Sequence, residues 1–288
     1  MMKKTELYYF SPTGGTKKVG ETFAKAVSEE VVLYDLGEMM RAAPEVKEEK
    51  EDGPAEAELV IFAAPVFGGR LPAAAAEYLK TVKGRGKKAV SLVVYGVRAF
   101  EDALLELNDI LTEDGFLVIA SGAFVAQHSI VPVVGQGRPD VEDMKDIRAF
   151  VEKVLAKMDA EGEFEAERES RAAGESGAEE MACTTDANPV AVSVPGNHPY
   201  KDGMKVAATP ICLPSCVKCG TCEAVCPTGA IQMTEEGPVT ELSKCLLCMA
   251  CKAACPSASR ILPPPMQEAM NQKLGALKDV RRENETFL

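Results

Sequence analysis

The sequence predicts an α/β protein with a five-stranded, doubly wound parallel sheet, followed by a small α+β domain. Strand-like and helix-like patterns alternate over residues 1–158, and this alternation is typical of parallel sheets. The strands are almost continuously apolar, as in residues 59–64, which indicates a sheet covered by helices on both faces. Eight of the ten cysteines lie between Cys216 and Cys255, and this clustering indicates a separate metal-binding domain.

The elements follow one another in a regular order. The first strand ends at a glycine-rich turn, and the helical spacing of Val19, Phe23 and Val27 predicts the helix that follows. The predicted strands are residues 5–10, 31–36, 59–64, 89–95 and 116–124. The later predicted helices are residues 73–82, 100–111 and 140–158, the last with Asp140 as its N-cap. Ligands of such sheets bind at the carboxyl ends of the strands.

Length and charge restrict the class of protein. A chain of 288 residues is long enough for roughly two domains. Its formal net charge of -12 argues against nucleic-acid binding, which requires clustered Lys and Arg. No apolar run approaches the roughly 18 residues of a membrane span. We therefore expect a cytoplasmic protein that binds neither nucleic acid nor membrane.

The negative charge is concentrated in the middle of the chain. Residues 159–204 carry 11 acidic and 3 basic side chains, so this segment is expected to be an acidic, partly disordered linker. Residues 1–158 precede it as the α/β domain, residues 205–264 follow as the cysteine-rich domain, and residues 265–288 are predicted to form a helical tail.

The cysteines form two copies of the pattern C-x2-C-x2-C-x3-C-P. The copies contain Cys216, Cys219, Cys222 and Cys226, and then Cys245, Cys248, Cys251 and Cys255. This spacing lets three thiolates of one loop bind a single 4Fe-4S cubane, while the fourth cysteine reaches the other cluster. One cluster is then held by Cys216, Cys219, Cys222 and Cys255, and the other by Cys226, Cys245, Cys248 and Cys251. Zinc, which also uses C-x2-C pairs, is the alternative.

Residues 205–262 resemble the bacterial two-cluster ferredoxins, since every ligand position is present. The resemblance implies one-electron chemistry at each cluster. Between the motifs, residues 231–234 and 239–242 are predicted to form a hairpin around a turn at residues 235–238. Cys183 and Cys212 lie outside the motifs, and we interpret them as free structural thiols, with a ligand or redox role as the alternative.

A second motif follows the first strand. Ser11-Pro12-Thr13-Gly14-Gly15-Thr16 leads directly into a helix, so hydroxyl groups and helix N-terminal N–H groups can surround a phosphate there. The loop lacks the lysine of a Walker motif. It resembles the phosphate loop of flavodoxins at every defined position, and this resemblance implies FMN binding by Ser11, Thr13, Gly14, Gly15 and Thr16.

The resemblance to flavodoxins also implies where the flavin ring lies. In flavodoxins the loops after the third and fourth strands hold the ring, which here implies contacts with Pro65, Phe67, Gly68, Gly69, Tyr95 and Gly96. The chain departs from many flavodoxins because it has no tryptophan, and the two aromatic residues are alternatively part of the core. Arg70 and Arg98 are candidates to stabilise reduced flavin or are surface residues. His128 either handles a proton near the flavin or is a loop histidine with satisfied hydrogen bonds.

The whole chain resembles the fused flavodoxin-ferredoxin proteins of anaerobic bacteria and archaea. The resemblance implies an electron carrier with FMN and two 4Fe-4S clusters that exchanges electrons with redox partner proteins. One alternative is a reductase that acts on a small substrate at the flavin. Another is a ferredoxin whose flavin-free first domain serves as a docking platform. No nucleophile or acid-base constellation assigns catalytic residues.

Overall fold

The apolar runs of the sequence form one central sheet. The computed structural model describes residues 2–42, 57–174 and 191–288, without the side chains of residues 2–3 and 161–174. The strands of the first domain are β1 (Met2–Tyr9), β2 (Ser28–Asp35), β3 (Leu59–Pro65), β4 (Lys88–Tyr95) and β5 (Leu117–Val125). Its helices are α1 (Gly15–Val27), α2 (Leu36–Ala42), α3 (Ala73–Leu79), α4 (Ala103–Glu113) and α5 (Val141–Gly174).

The second half of the chain contains shorter elements. They are β6 (Ile211–Cys212), α6 (Thr221–Ala224), β7 (Ile231–Thr234), β8 (Gly237–Thr240), α7 (Ala250–Ala253), β9 (Arg260–Ile261), α8 (Pro264–Leu274) and β10 (Glu285–Phe287). Within the described ranges no helix is long and apolar enough to cross a membrane.

The five predicted strands are parallel and lie in the order β2-β1-β3-β4-β5. This is the flavodoxin-like order of doubly wound sheets. Helices α1 and α5 cover one face, where Phe23 and Phe150 pack together. Helices α3 and α4 cover the other face, where Leu79 and Leu104 are buried. The strand order reverses between β1 and β3, which places the ligand crevice beyond their carboxyl ends.

A sixth strand extends this sheet. Strand β10 pairs antiparallel with β5, although the tail was expected to be helical throughout. Helix α8 accounts for the helical part of the tail, and Leu274 is buried against the first domain. The edge of β5 offers unpaired backbone groups, and the last residues of the chain satisfy them.

Other features also differ from the expectation, and several strand and helix ends shift by a few residues. Helix α2 directly follows β2 and was not predicted. Helix α5 extends beyond residue 158 to Gly174, because its continuation is rich in the good helix formers Glu, Ala and Arg. Gly237 and Pro238 belong to β8 and not to the turn. Residues 175–190 of the predicted linker, with Cys183, lie outside the described residues.

Residues 191–204 pack on helix α4. The backbone N–H groups of Asn197 and Lys201 donate to the carboxylate of Asp102 at 3.0 and 2.8 Å, and the hydroxyl of Tyr200 donates to Asp109. This part of the predicted linker is therefore fixed to the first domain.

The cysteine-rich half packs directly against the sheet domain. Leu247, Met249 and Leu262 are each no more than 4 % exposed and belong to the same apolar cluster as Phe62 and Leu104. The two halves thus share one core, which holds the cysteine loops against the carboxyl edge of the sheet.

Candidate functional site

The glycine-rich loop forms an open cradle at the start of α1. Ser11 Oγ accepts the N–H of Lys17 at 2.8 Å, and the carbonyl of Gly14 accepts the N–H of Lys18 at 3.0 Å. The N–H groups of Gly15 and Thr16 have no partner within the described part of the chain, as is usual in a first helical turn.

Gly14 gives the cradle its backbone conformation. Its φ of +90° lies in the left-handed region that favours glycine. A Cβ at this position would meet no atom within 4 Å, so the space beside the free N–H groups is open. Free N–H groups beside open space at a helix N-terminus suit a phosphate group.

The loop after β3 makes a tight turn. Phe67 and Arg70 exchange backbone hydrogen bonds across Gly68 and Gly69. Both glycines have positive φ, which is the requirement of a type I′ turn. A Cβ at Gly69 would lie 1.7 Å from an oxygen of Glu101. The turn therefore depends on glycine for space as well as for conformation.

The loop after β4 lies against a third loop that follows β5. A Cβ at Gly96 would lie 2.6 Å from Cδ2 of His128, so glycine permits the close approach of the two loops. Tyr95 is buried and packs edge-to-face on Phe100 with a ring-centroid distance of 5.5 Å. It thus both lines the site and belongs to the core.

These loops meet around one cavity of about 670 Å³ at the strand order reversal. Ten of the eleven residues predicted to bind flavin line it: Ser11, Thr13, Gly15, Thr16, Pro65, Phe67, Gly68, Gly69, Tyr95 and Gly96. Gly14 lines an adjoining cavity of about 960 Å³. Sequence reasoning did not include Gln127 and Ser129, which also line the first cavity. The sequence could have indicated these two residues, because they directly follow β5 at the same edge of the sheet.

The two candidate arginines have different environments. Arg70 makes a bidentate pair with Glu106 at 2.8 and 2.7 Å and donates to the carbonyl of Lys201 at 2.6 Å. It is not among the cavity-lining residues, which disfavours the flavin-stabilising alternative for Arg70. Arg98 does line the cavity, where it pairs with Glu101 at 2.7 Å.

His128 lines the cavity as a neutral hydrogen-bond donor. Its Nδ1 accepts the N–H groups of Ile130 and Val131 at 3.2 and 3.1 Å, so the proton of the neutral ring lies on Nε2. Burial, together with the positive charge of Arg98, lowers the pKa of His128 to about 4. The ring is therefore uncharged at neutral pH, which favours hydrogen bonding over proton storage.

This lowered pKa predicts a loss of stability in acid. The pKa of His128 is about 4 in the folded protein and 6.5 ordinarily. The contribution of the neutral ring to the unfolding free energy is therefore complete above pH 6.5 and is lost as the pH falls toward 4. We expect a loss of about 2–3 kcal/mol over that window, measured by urea unfolding. A His128→Asn variant, whose amide oxygen can replace Nδ1, should lose most of this slope. The exposed His198 is the only other histidine, and a His198→Asn variant that removed the slope instead would contradict the assignment.

The two cysteine motifs fold as a structural repeat with an offset of 29 residues. Lys218 and Leu247 have positive φ of 53° and 52°, and Gly220 and Met249 have positive φ of 78° and 65°. Each motif then continues into a one-turn helix, α6 or α7. The two loops therefore have the same backbone conformation, and in each the first three cysteines lie on one short loop, as the ligands of a cubane do.

The fourth cysteine of each motif has the same surroundings. The N–H of Ala230 donates to Cys226 Sγ at 3.2 Å, and the N–H of Ser259 donates to Cys255 Sγ at 3.3 Å. Hydrogen bonds to the sulfur atoms stabilise thiolate ligands of such clusters and set their potentials. The backbone thus supports thiolate ligation at both positions.

The second predicted ligand set lines one cavity. Cys226 of the first motif lines one small cavity together with Cys245, Cys248 and Cys251. Burial raises the pKa of the Cys248 thiol to about 12, so a thiolate there requires a cationic centre. The two C-x2-C-x2-C-x3-C-P motifs supply this set with four cysteines and no histidine, which favours an iron-sulfur cluster over zinc. A cubane, whose iron atoms each take one cysteine, fits this donor set.

The other predicted set is more exposed. Cys219 and Cys255 interact electrostatically, and Cys219 is exposed while Cys222 is buried. Cys212 lies beside Cys216 and receives an N–H of Arg260 at 3.5 Å. The described cysteines are all free thiols, which keeps them available as ligands.

Comparison with known proteins supports this division of the chain. Residues 215–259 match the family model described as a 4Fe-4S dicluster domain. The chain therefore joins a domain of flavodoxin-like topology to a 4Fe-4S dicluster domain. The match supports 4Fe-4S ligation by the dicluster domain and a role in electron transfer.

Solved structures similar to the flavodoxin-like domain share little sequence with it. A flavodoxin from the domain Archaea has 16% identity over 54% of this chain and 97% of its own, with a TM-score of 0.38. Flavodoxin 1 from Bacillus cereus has 18% identity over 54% and 98%, with a TM-score of 0.39. Rubredoxin oxygen:oxidoreductase from Desulfovibrio gigas has 17% identity over 55% and 36%, with a TM-score of 0.37. No curated protein matches the chain. The fold assignment depends on the strand order and not on these similarities.

One residue connects the two candidate sites. Cys248 lines the cavity of the second ligand set and also the cavity formed by the phosphate loop and the ring loops. Its neighbours Leu247 and Met249 are 4% and 1% exposed. A predicted cluster ligand of the dicluster domain thus also lines the cavity of the flavodoxin-like domain, between two buried apolar neighbours.

Proposed function

We propose that the protein is an electron-transfer iron-sulfur flavoprotein, with FMN in the 670 Å³ cavity and two 4Fe-4S clusters in the dicluster domain. Electrons pass between FMN and the cluster held by Cys226, Cys245, Cys248 and Cys251. The observation that carries the proposal is the position of Cys248, which lines both cavities.

The residues of the flavodoxin-like domain bind and orient the flavin. The free N–H groups of Gly15 and Thr16 receive its phosphate, with the helix dipole of α1 favouring the negative charge. The turn at Gly68 and Gly69 presents backbone to the ring, and Nε2 of His128 supplies a hydrogen-bond donor. FMN, when bound, accepts electrons in pairs and releases them singly, whereas each cluster carries one.

The two predicted ligand sets of the dicluster domain differ in their access to solvent. Leu247 and Met249 exclude water around Cys248, next to the flavin cavity. Cys219 of the other ligand set is exposed, beside the exposed apolar side chains of Val217 and Leu213. Redox partner proteins would therefore dock at this outer centre. Free thiols in this number also suit the reducing conditions of the cytoplasm.

The proposal is tested on the full chain purified without oxygen. We expect one FMN and about eight iron atoms per chain, and bleaching of both chromophores by dithionite. After rapid mixing with a reductant that acts at the clusters, flavin reduction should proceed at a rate independent of protein concentration. Iron without flavin would contradict the proposal and leave the flavodoxin-like domain as a docking platform.

A reductase that acts on a small substrate is the second candidate. The observation in its favour is the 960 Å³ cavity, which shares His128 and Gln127 with the flavin cavity and is also lined by Lys18 and Lys252. Steady-state turnover of a small anionic oxidant by the reduced protein would favour this candidate. Turnover only with protein acceptors would favour the carrier.

A further inference from the structure

Arg260 is a buried charge at the centre of the dicluster domain. It is 2% exposed and is among the largest fully buried side chains of the described chain. Burying a guanidinium without an anionic partner is strongly unfavourable. Within residues 191–288 and the rest of the described chain, no carboxylate forms an ion pair with it, and its Nε has no hydrogen-bond partner.

The groups that surround Arg260 are sulfur atoms. Its guanidinium donates to Cys212 Sγ at 3.5 Å and lies 4.0 Å from Cys251 Sγ. A single neutral oxygen, Thr240 Oγ1, accepts at 2.8 Å. Its charge also acts on Cys222 and Cys245. The charge therefore faces ligands of both predicted clusters.

The structural repeat indicates that the fold does not require a charge here. The offset of 29 residues places Arg260 opposite Ile231, and each residue begins a strand directly after its motif, β9 or β7. Ile231 is 4% exposed in an apolar cluster with Cys222 and Cys226. An apolar residue thus fills the equivalent position in the other half of the same domain.

We propose that Arg260 is an electrostatic positioning residue that raises the reduction potentials of both clusters. The inference rests on the proposed function, since it needs the clusters in place. A cubane with four thiolate ligands is anionic and gains one negative charge when it is reduced. A fixed positive charge in a low-dielectric interior favours the reduced state. The clusters in turn supply the anionic partner that the protein itself does not provide.

The test compares cluster potentials by redox titration followed by electron paramagnetic resonance. The Arg260→Ile variant copies the other half of the repeat, and the Arg260→Gln variant keeps a hydrogen-bonding group without charge. In both, we expect the equilibrium constant for reduction of each cluster to fall. For the cluster predicted to be held by Cys251, it should fall at least about tenfold, which is about 59 mV for a one-electron couple. The Arg260→Lys variant, which keeps the charge, should remain within about threefold of wild type.

The matched control removes an exposed charge that lies even closer to a ligand along the chain. Lys218 lies between Cys216 and Cys219 and is exposed; its ammonium donates to the carbonyl of Glu235, and its charge is screened by solvent. The Lys218→Met variant should leave both potentials nearly unchanged. Unchanged potentials in iron-replete Arg260→Ile and Arg260→Gln chains would overturn the role of Arg260 alone. A wild-type chain purified without iron would overturn the proposed function itself.

Discussion

A Cys226→Ser variant is expected to lose the cluster next to the flavin cavity, although Cys226 belongs to the first motif. The reason is that Cys226 lines the same cavity as Cys245, Cys248 and Cys251. Without this cluster, electrons reach the flavin only by collision between chains. Since intramolecular contact corresponds to an effective concentration near the mM range, flavin reduction at μM protein should slow by about 10²–10³-fold. Stopped-flow absorbance of the flavin measures this rate.

The matched variant is Cys255→Ser. Cys255 has the same backbone surroundings as Cys226 but belongs to the outer ligand set. Both variants should lose about half of the iron, whereas only Cys226→Ser should lose fast flavin reduction when reductant is small enough to reach either cluster. The opposite pattern would mean that each motif holds its own cluster.

The second large effect concerns stability. Asp143 is buried and accepts a bidentate pair from Arg138 as well as the N–H of Asp140 at 2.7 Å. Although burial favours the neutral carboxyl, these hydrogen bonds hold the pKa of Asp143 below its ordinary value. An Asp143→Ala variant leaves the guanidinium of Arg138 buried without an anionic partner, with the carbonyl of Arg282 as an acceptor. We expect it to lose about 3–5 kcal/mol of unfolding free energy, measured by urea unfolding with circular dichroism.

A neighbouring ion pair provides the control for this prediction. Arg281 and Asp140 pair at 2.7 Å on the surface, and such pairs contribute at most about 1 kcal/mol. An Arg281→Ala variant should therefore be nearly as stable as wild type. The double variant Arg138→Met, Asp143→Leu should recover part of the loss, because no charge stays buried. Equal effects of Asp143→Ala and Arg281→Ala would refute the argument.

The strands were predictable because parallel sheets require nearly continuous apolar runs. Residues 59–64 are all buried in β3, and the N-cap Asp140 accepts the N–H groups of Glu142 and Asp143. The short elements were not predictable. Helix α2 has seven residues and β10 has three, which is too few for a periodic pattern. Strand β10 forms because the edge of β5 is available, and this availability depends on the tertiary structure and not on the local sequence.

The candidate site was predictable where local backbone chemistry determines it. Gly14, Gly68 and Gly69 were singled out from the sequence, and all three adopt positive φ at the strand ends. The contact of Cys248 with the flavin cavity was not predictable, because it depends on how two domains pack. Arg260 also escaped notice, since a lone arginine after a cysteine motif carries no signal. Only its alignment with Ile231 in the repeat distinguishes it.

Strand β10 connects the C-terminal side of the dicluster domain to the sheet of the first domain. Residues 191–204 bind α4 on one side of it, and β10 returns to the sheet on the other side. The dicluster domain is therefore an insertion that is anchored at both ends, and it has no free terminus about which it could swing. A protease cut in the exposed turn at residues 235–236 would leave both fragments attached to the same sheet. The nicked protein should keep its two fragments in their positions on the sheet, so the contact of Cys248 with both cavities should remain after the cut.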